Sequence, residues 1–177
     1  ASPQIRKGIP GFQLAALNYL DPFDRPMAVT GPVRSGYLCV QTRGRLVCLD
    51  TVTGKQFWER YGLPPEAVVS GDAETVFLID TQRGQLEQLR VIDGAAVASR
   101  SLSGFGEPGK VRPTILAASG SRLLVRHGDD VDSPAEVLDL KNGQVAWSLP
   151  KGTRHLFRAD LDTIGYLSAE GELVLCD

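Results

Sequence analysis

Helical periodicity is missing from this 177-residue chain. No segment keeps apolar residues at intervals of three to four over several turns, which argues against a helical or α/β fold. The nearest candidate, Gly11 to Leu20 (GFQLAALNYL), reads either as one short helix or as an irregular strand. Long apolar runs are also absent: none approaches the roughly 20 residues that cross a bilayer as a helix. Charge of one sign is not in excess. Lys and Arg number 19 against 21 Asp and Glu, for a net charge of −2, so the chain lacks the basic surface that nucleic acid calls for. The two histidines, His127 and His155, share no motif, and no paired-histidine zinc signature exists. No G-x-S-x-G nucleophile elbow occurs. The loop GEPGK, Gly106 to Lys110, lacks both the Ser or Thr after its lysine and the following helix of a phosphate loop. The opening residues, ASPQIRKGIPG, lack the apolar core of a signal peptide. They suit a mature form or an excised piece equally.

What is present points to short strands. Hydrophobic residues make up 42% and charged residues 23%, an ordinary globular balance on a chain long enough for one sizeable core. The 19 glycines and 11 prolines punctuate apolar runs too short for helices. The clearest stretch is RLVCLDTVTGKQFW, Arg45 to Trp58, which reads as strand, tight turn, strand. It returns as EVLDLKNGQVAW, Glu136 to Trp147, and more weakly as QLRVIDGAAVA, Gln88 to Ala98. A further copy, GELVLCD, closes the chain. The turn glycines Gly54, Gly94 and Gly143 recur with a period of about 40 to 50 residues, the length of a four-stranded β-propeller blade.

Four units follow a lead-in over residues 1–25, which matches no repeat. They cover about 27–61, 65–102, 113–149 and 154–177 within a region spanning 26–177, and the last contains only three strands. The expected fold is all-β: a propeller-type array of about four four-stranded antiparallel blades, the last incomplete. Runs apolar on both faces, such as Val76-Phe77-Leu78-Ile79, suit a sheet sandwiched between neighbours rather than one with a wet face. A β-sandwich is the competing reading.

Asp50, Thr53, Gly54 and Trp58 stand at the spacing D-x-x-T-G-x-x-x-W. This resembles the tryptophan-docking repeat of the quinoprotein (pyrroloquinoline-quinone-type, or PQQ-like) β-propellers, whose motif opens with a small residue two before the Asp, here Cys48. Asp139, Gly143 and Trp147 repeat it with Asn142 for the Thr. The second copy keeps Gly94 but has Arg90 and Ala98 in the Asp and Trp positions, and the fourth reaches only Asp177. Independently of the resemblance, an indole ending an outer strand suits the cover of a neighbouring sheet, and the Asp and Thr suit side-chain ties across the turn. Trp58 and Trp147 are therefore expected to be inter-blade staples.

The resemblance implies a choice between an enzyme and a binding module. Quinone-dependent dehydrogenases of this type carry a vicinal Cys-Cys disulfide, a catalytic Asp, and Glu and Asn ligands for calcium. The cysteines here are Cys39, Cys48 and Cys176, with no adjacent pair, and no catalytic residue transfers by motif. Non-enzymatic members include extracytoplasmic scaffolds. The resemblance thus implies a non-catalytic, protein-binding or scaffolding module outside the cytoplasm, without a cofactor. A dehydrogenase fragment and a carbohydrate- or polymer-binding propeller are the alternatives. Only Phe105 lies in an obvious long loop where a sugar would stack. A partner protein is expected, either a second copy or the remainder of a larger ring, since family members usually have eight blades. Closure by residues Phe12 to Leu20 is the third way to supply the missing strand.

Two local readings remain. If Arg43-Gly44 is a two-residue hairpin loop, Cys39 faces Cys48 as a non-hydrogen-bonded pair. The pair then forms a cross-strand disulfide, implying an oxidising compartment, or two buried free thiols. Asp130 and Asp132, in the acidic loop after His127, read as the start of a calcium site or as a solvated turn. The distal Glu of an EF-hand is missing.

Overall fold

Chain order runs through sixteen strands and no helix among the described residues. The computed structural model describes residues 19–20, 26–42, 44–64, 66–102, 104–105, 112–128, 133–150, 153, 155–158, 164–168 and 170–176. The first sheet holds β1 (Tyr19–Leu20), β2 (Pro26–Val33), β3 (Tyr37–Thr42), β4 (Arg45–Asp50) and β5 (Gln56–Tyr61). The second holds β6 (Val68–Gly71), β7 (Thr75–Asp80), β8 (Gln85–Arg90) and β9 (Ala96–Ser101). The third holds β10 (Thr114–Ser119), β11 (Arg122–Arg126), β12 (Ala135–Asp139) and β13 (Gln144–Ser148). The fourth holds β14 (His155–Arg158), β15 (Ile164–Leu167) and β16 (Leu173–Cys176). Strands pair in chain order, antiparallel throughout. Each sheet is therefore a meander, the plan of a propeller blade.

Burial in the second sheet shows how the units stack. Along β7, Val76 and Leu78 join a cluster with Tyr37, Cys39, Leu46, Cys48 and Trp58 of the first sheet. Phe77 and Ile79, pointing the other way, join Leu123, Val125, Leu138 and Leu140 of the third. A third cluster joins Leu124, Val137 and Leu149 to Tyr166 and Val174 of the fourth sheet. The core is thus three slabs between four successive sheets. This two-sided burial is why β7 reads as an unbroken apolar run, and it excludes the β-sandwich, in which an inner face alternates with a solvated one.

Two expectations change here. Tyr19 and Leu20 pair with β2, as a fifth strand of the first sheet beyond its first repeat strand. They are not the missing outer strand of the fourth sheet; residues 12–18 lie outside the described residues. Phe105 is buried at 4% exposure in the second cluster, so it offers no stacking surface. Its backbone instead lies against Gly84, whose φ of +65° suits the turn before β8.

Candidate functional site

The repeated turn is the most elaborated feature of the chain, and its geometry is the same in three sheets. Gly54, Gly94 and Gly143 have φ of +69°, +68° and +75°, the left-handed region that glycine enters without a Cβ penalty. Each donates its backbone N–H to the carbonyl four residues earlier: Asp50 at 2.9 Å, Arg90 at 2.8 Å and Asp139 at 2.7 Å.

Side chains tie each turn differently. In the first, Asp50 Oδ1 accepts from the amides of Val52 at 2.8 Å and Thr53 at 3.3 Å. The Thr53 hydroxyl donates to Asp50 Oδ2 at 2.9 Å and accepts from the Lys55 amide at 3.3 Å. In the third, Asn142 takes both roles of Thr53. Its Nδ2 donates to Asp139 Oδ2 at 3.4 Å and its Oδ1 accepts from the Gln144 amide at 2.8 Å. The second turn reverses the charges. Arg90 occupies the aspartate position and Asp93 the threonine position; Arg90 Nε donates to Asp93 Oδ1 at 3.0 Å, and the Ala95 amide donates to the same oxygen at 3.0 Å. The degenerate copy has thus kept its turn with inverted polarity. An Arg and an Asp three apart before the glycine carried that signal in the sequence.

Three turn and loop carboxyls are held below the usual carboxylate range. Asp50 is lowered chiefly by the Val52 amide and the Thr53 hydroxyl. Asp93 is lowered by the Arg90 guanidinium and then by the Ala95 amide. For Asp72, burial pushes the pKa up, but the Glu74 amide, Lys141 and the Thr75 amide more than offset it. A depressed folded-state pKa stabilises the fold above the unfolded value of about 3.9 and loses that contribution as pH falls through the folded value. Thermal melts are therefore expected to hold their Tm above about pH 5 and to lose it progressively below about pH 4. Asp50→Asn, followed by circular dichroism, should flatten the acid limb; an unchanged limb would remove Asp50 from the account.

The turns receive the neighbouring sheet. Trp58 is 8% exposed, and its Nε1 donates to the Val91 carbonyl in the second turn at 2.6 Å. Its ring lies so close over Gly94 that a Cβ there would fall 2.6 Å from Trp58 Cδ2. Around it, Arg34 Nη2 donates to Gly71 O at 2.7 Å, Tyr37 Oη to Asp72 O at 2.6 Å and Gln41 Nε2 to Ala67 O at 3.2 Å. Arg60 Nη2 reaches both carboxylate oxygens of Glu87 at 2.7 Å.

At the next junction the tryptophan position holds Ala98, and the work is divided. Gln88 stands two residues before Arg90, as Cys48 stands two before Asp50. Its Nε2 donates to the carbonyls of Leu140 at 2.8 Å and Lys141 at 3.1 Å. Leu140 follows Asp139 as Val91 follows Arg90, so the accepting carbonyl is the equivalent one. Arg100 covers the turn glycine: a Cβ on Gly143 would lie 3.0 Å from Arg100 Cδ. Gln88 is buried. Gln88→Ala is expected to cost about 1–3 kcal/mol in urea unfolding, the usual effect of leaving a buried acceptor unsatisfied. A change below about 0.5 kcal/mol would deny it a docking role.

Trp147 is half-buried and packs on the third cluster. Asp177, the last residue of the fourth copy, lies outside the described residues, as do Asp130, Asp132 and the Gly106–Lys110 loop. His127 Nε2 lies 2.9 Å from Glu136 Oε2, pairing with its own sheet. Among the described residues, no three His, Cys, Asp or Glu side chains gather where a metal could sit. Cys39 and Cys48 are directly opposite in register, buried and present as free thiols.

No family model matches the chain, and no curated protein sequence matches it. Among solved structures it is similar to BamB from Moraxella catarrhalis, at 20% identity and a TM-score of 0.49, over 83% of this chain and 41% of that one. It is also similar to the computationally designed Ika4 protein, at 14% identity and a TM-score of 0.49, over 83% of this chain and 88% of that one. For the computationally designed Ika8 protein the identity is 16% and the TM-score 0.48, over 83% and 45% of the two chains. The chain thus spans less than half of the BamB structure that it matches.

Proposed function

We propose that this chain is a non-catalytic PQQ-like repeat module that acts outside the cytoplasm by binding protein, its open sheet faces receiving either a second copy or the remainder of a larger ring. The carrying observation is the outward face of the fourth sheet. Val174 packs inward on the third cluster, so Leu173 and Leu175 on either side point away from it, at 62% and 58% exposed. The matching positions of the other three sheets, Leu46 and Cys48, Leu86 and Gln88, Ala135 and Val137, are buried. The outward side of the first sheet likewise bears exposed Phe57 and Tyr61. β16 has no strand on its far side among the described residues, and an unpaired edge beside an apolar face is a surface for strand addition. Among the described residues, no helix is long and apolar enough to cross a membrane.

The test combines light scattering with ligand addition. The expected result is association that rises with concentration and weakens in Leu173→Lys/Leu175→Lys, with no quinone taken up when PQQ and calcium are added. A monomer at every concentration that also ignores candidate partner blades would overturn the binding reading. A stoichiometric bound chromophore would overturn the non-catalytic one and favour a dehydrogenase fragment.

A further inference from the structure

The junction between the first and second sheets contains two thiols that the docking motif leaves unused. Cys39 and Cys48 sit directly opposite on β3 and β4, and Thr42 opposite Arg45 ends the same ladder at the hairpin turn. Counted outward from that closing pair, 39:48 is a non-hydrogen-bonded pair, with Cα atoms about 4.5 Å apart. That separation lies inside the roughly 4.4–6.8 Å span that a disulfide bridges. Both side chains are fully buried in the first cluster, so their directions are set by packing and they meet each other. The two sulfurs share a hydrogen bond, which lowers the pKa of Cys48 and, together with burial, raises that of Cys39. Cys48 also pairs across the ladder with Trp58, and its Sγ lies 4.0 Å from the same Val91 carbonyl that Trp58 engages. The dithiol is therefore roofed by the indole that docks the second sheet.

We propose that Cys39 and Cys48 form a redox-active pair that closes to a cross-strand disulfide by exchange with a small disulfide oxidant. The oxidant reaches the pair when Trp58 lifts from Gly94. One of the two thiols gives its proton to solvent, its sulfur attacks one sulfur of the oxidant, and one oxidant thiolate leaves. The other thiol then gives its proton to solvent, its sulfur attacks the protein sulfur of the mixed disulfide, and the second oxidant thiolate leaves. Two protein thiols are oxidised by two electrons while one disulfide is reduced to two thiols.

The experiment uses the full chain carrying Cys176→Ser and Trp147→Phe, which leaves two thiols and one tryptophan. The protein is incubated with oxidised glutathione in the native state, and in parallel refolded from urea in the same redox buffer. The expected product has lost the mass of two hydrogens, has no thiol titratable after denaturation, and yields a peptide linking Cys39 to Cys48. Trp58 emission falls on closure and recovers with dithiothreitol. Cys39→Ser, which keeps a donor beside Cys48, should stop at one glutathione on Cys48. Cys48→Ser should likewise stop at one glutathione on Cys39. If Cys39→Ser does not fold, Cys39→Ala serves for the same mass readout. Two free thiols in both arms, or glutathione retained on the doubly thiol-bearing chain, would overturn the proposal. None of these readouts depends on self-association or on quinone binding.

Discussion

Trp58→Ala is expected to destabilise the fold by about 3–5 kcal/mol, the range for truncating a large buried aromatic. Trp147→Ala should cost less than about 2 kcal/mol, because only part of its surface leaves water. The same motif letter thus has two values. Trp58 fills a slab lined by Leu46, Cys48, Val76 and Leu89 and satisfies the Val91 carbonyl, whereas Trp147 is half-buried at the edge of its cluster. Urea unfolding by circular dichroism measures both. Trp58→Phe separates the two contributions: it retains most of the packing and loses the N–H, so it should recover more than half of the alanine loss. Equal costs for the two alanine variants would show that the docked geometry of Trp58 adds nothing to stability.

Gly94→Ala carries the second large effect, about 2–4 kcal/mol. One part is the left-handed backbone, about 1–2 kcal/mol for a residue with a Cβ. The rest is overpacking, since the new Cβ would fall 2.6 Å from Trp58 Cδ2 and a docked indole has little room to retreat. Gly54 is the internal control. Its φ is +69° and nothing lies within 4 Å of its would-be Cβ, so Gly54→Ala should show the backbone part alone, about 1–2 kcal/mol. In the Trp58→Ala background, Gly94→Ala should fall to that same value, because the clashing ring is gone. Additive costs in the double variant would place the strain in the backbone rather than in the contact.

Much of the strand plan was legible. The runs RLVCLD, TVFLID and AEVLDL announce strands because β-branched and other apolar residues fill them and glycine-bearing turns bound them. The closing of the Arg43-Gly44 hairpin placed Cys39 opposite Cys48 by counting alone, and the ladder has that register. β1 was only half legible, since Tyr19 and Leu20 are too few to show a period and the stretch reads as helix or strand until its pairing with β2 decides. Phe105 was misjudged for a related reason. A glycine-rich loop reads as exposed, but its aromatic side chain closes over the second cluster.

The docking site was half legible. Asp50, Thr53, Gly54 and Trp58 stand in one short phrase, because the turn is held by neighbours in sequence. The partners of the indole do not. Val91 and Gly94 come from another repeat, and only stacking brings them together. The second junction shows this most clearly. Its motif has lost both Asp and Trp, yet Gln88 reaches the Leu140 carbonyl and Arg100 covers Gly143. No spacing rule in one chain identifies such replacements, since each acts across sheets about 50 residues apart.

By itself, then, the sequence determined the local architecture: short apolar runs set strands, turn glycines set hairpins, and their recurrence set a repeated four-strand unit. These are interactions over a few residues, written in order along the chain. Only the tertiary structure decided which face of each strand meets which neighbour and which residue replaces a lost tryptophan. It also decided that the Asp-to-Trp phrase is a turn in one sheet and a lid on the next. The physical reason is that burial and hydrogen bonding between sheets depend on surfaces assembled from distant residues.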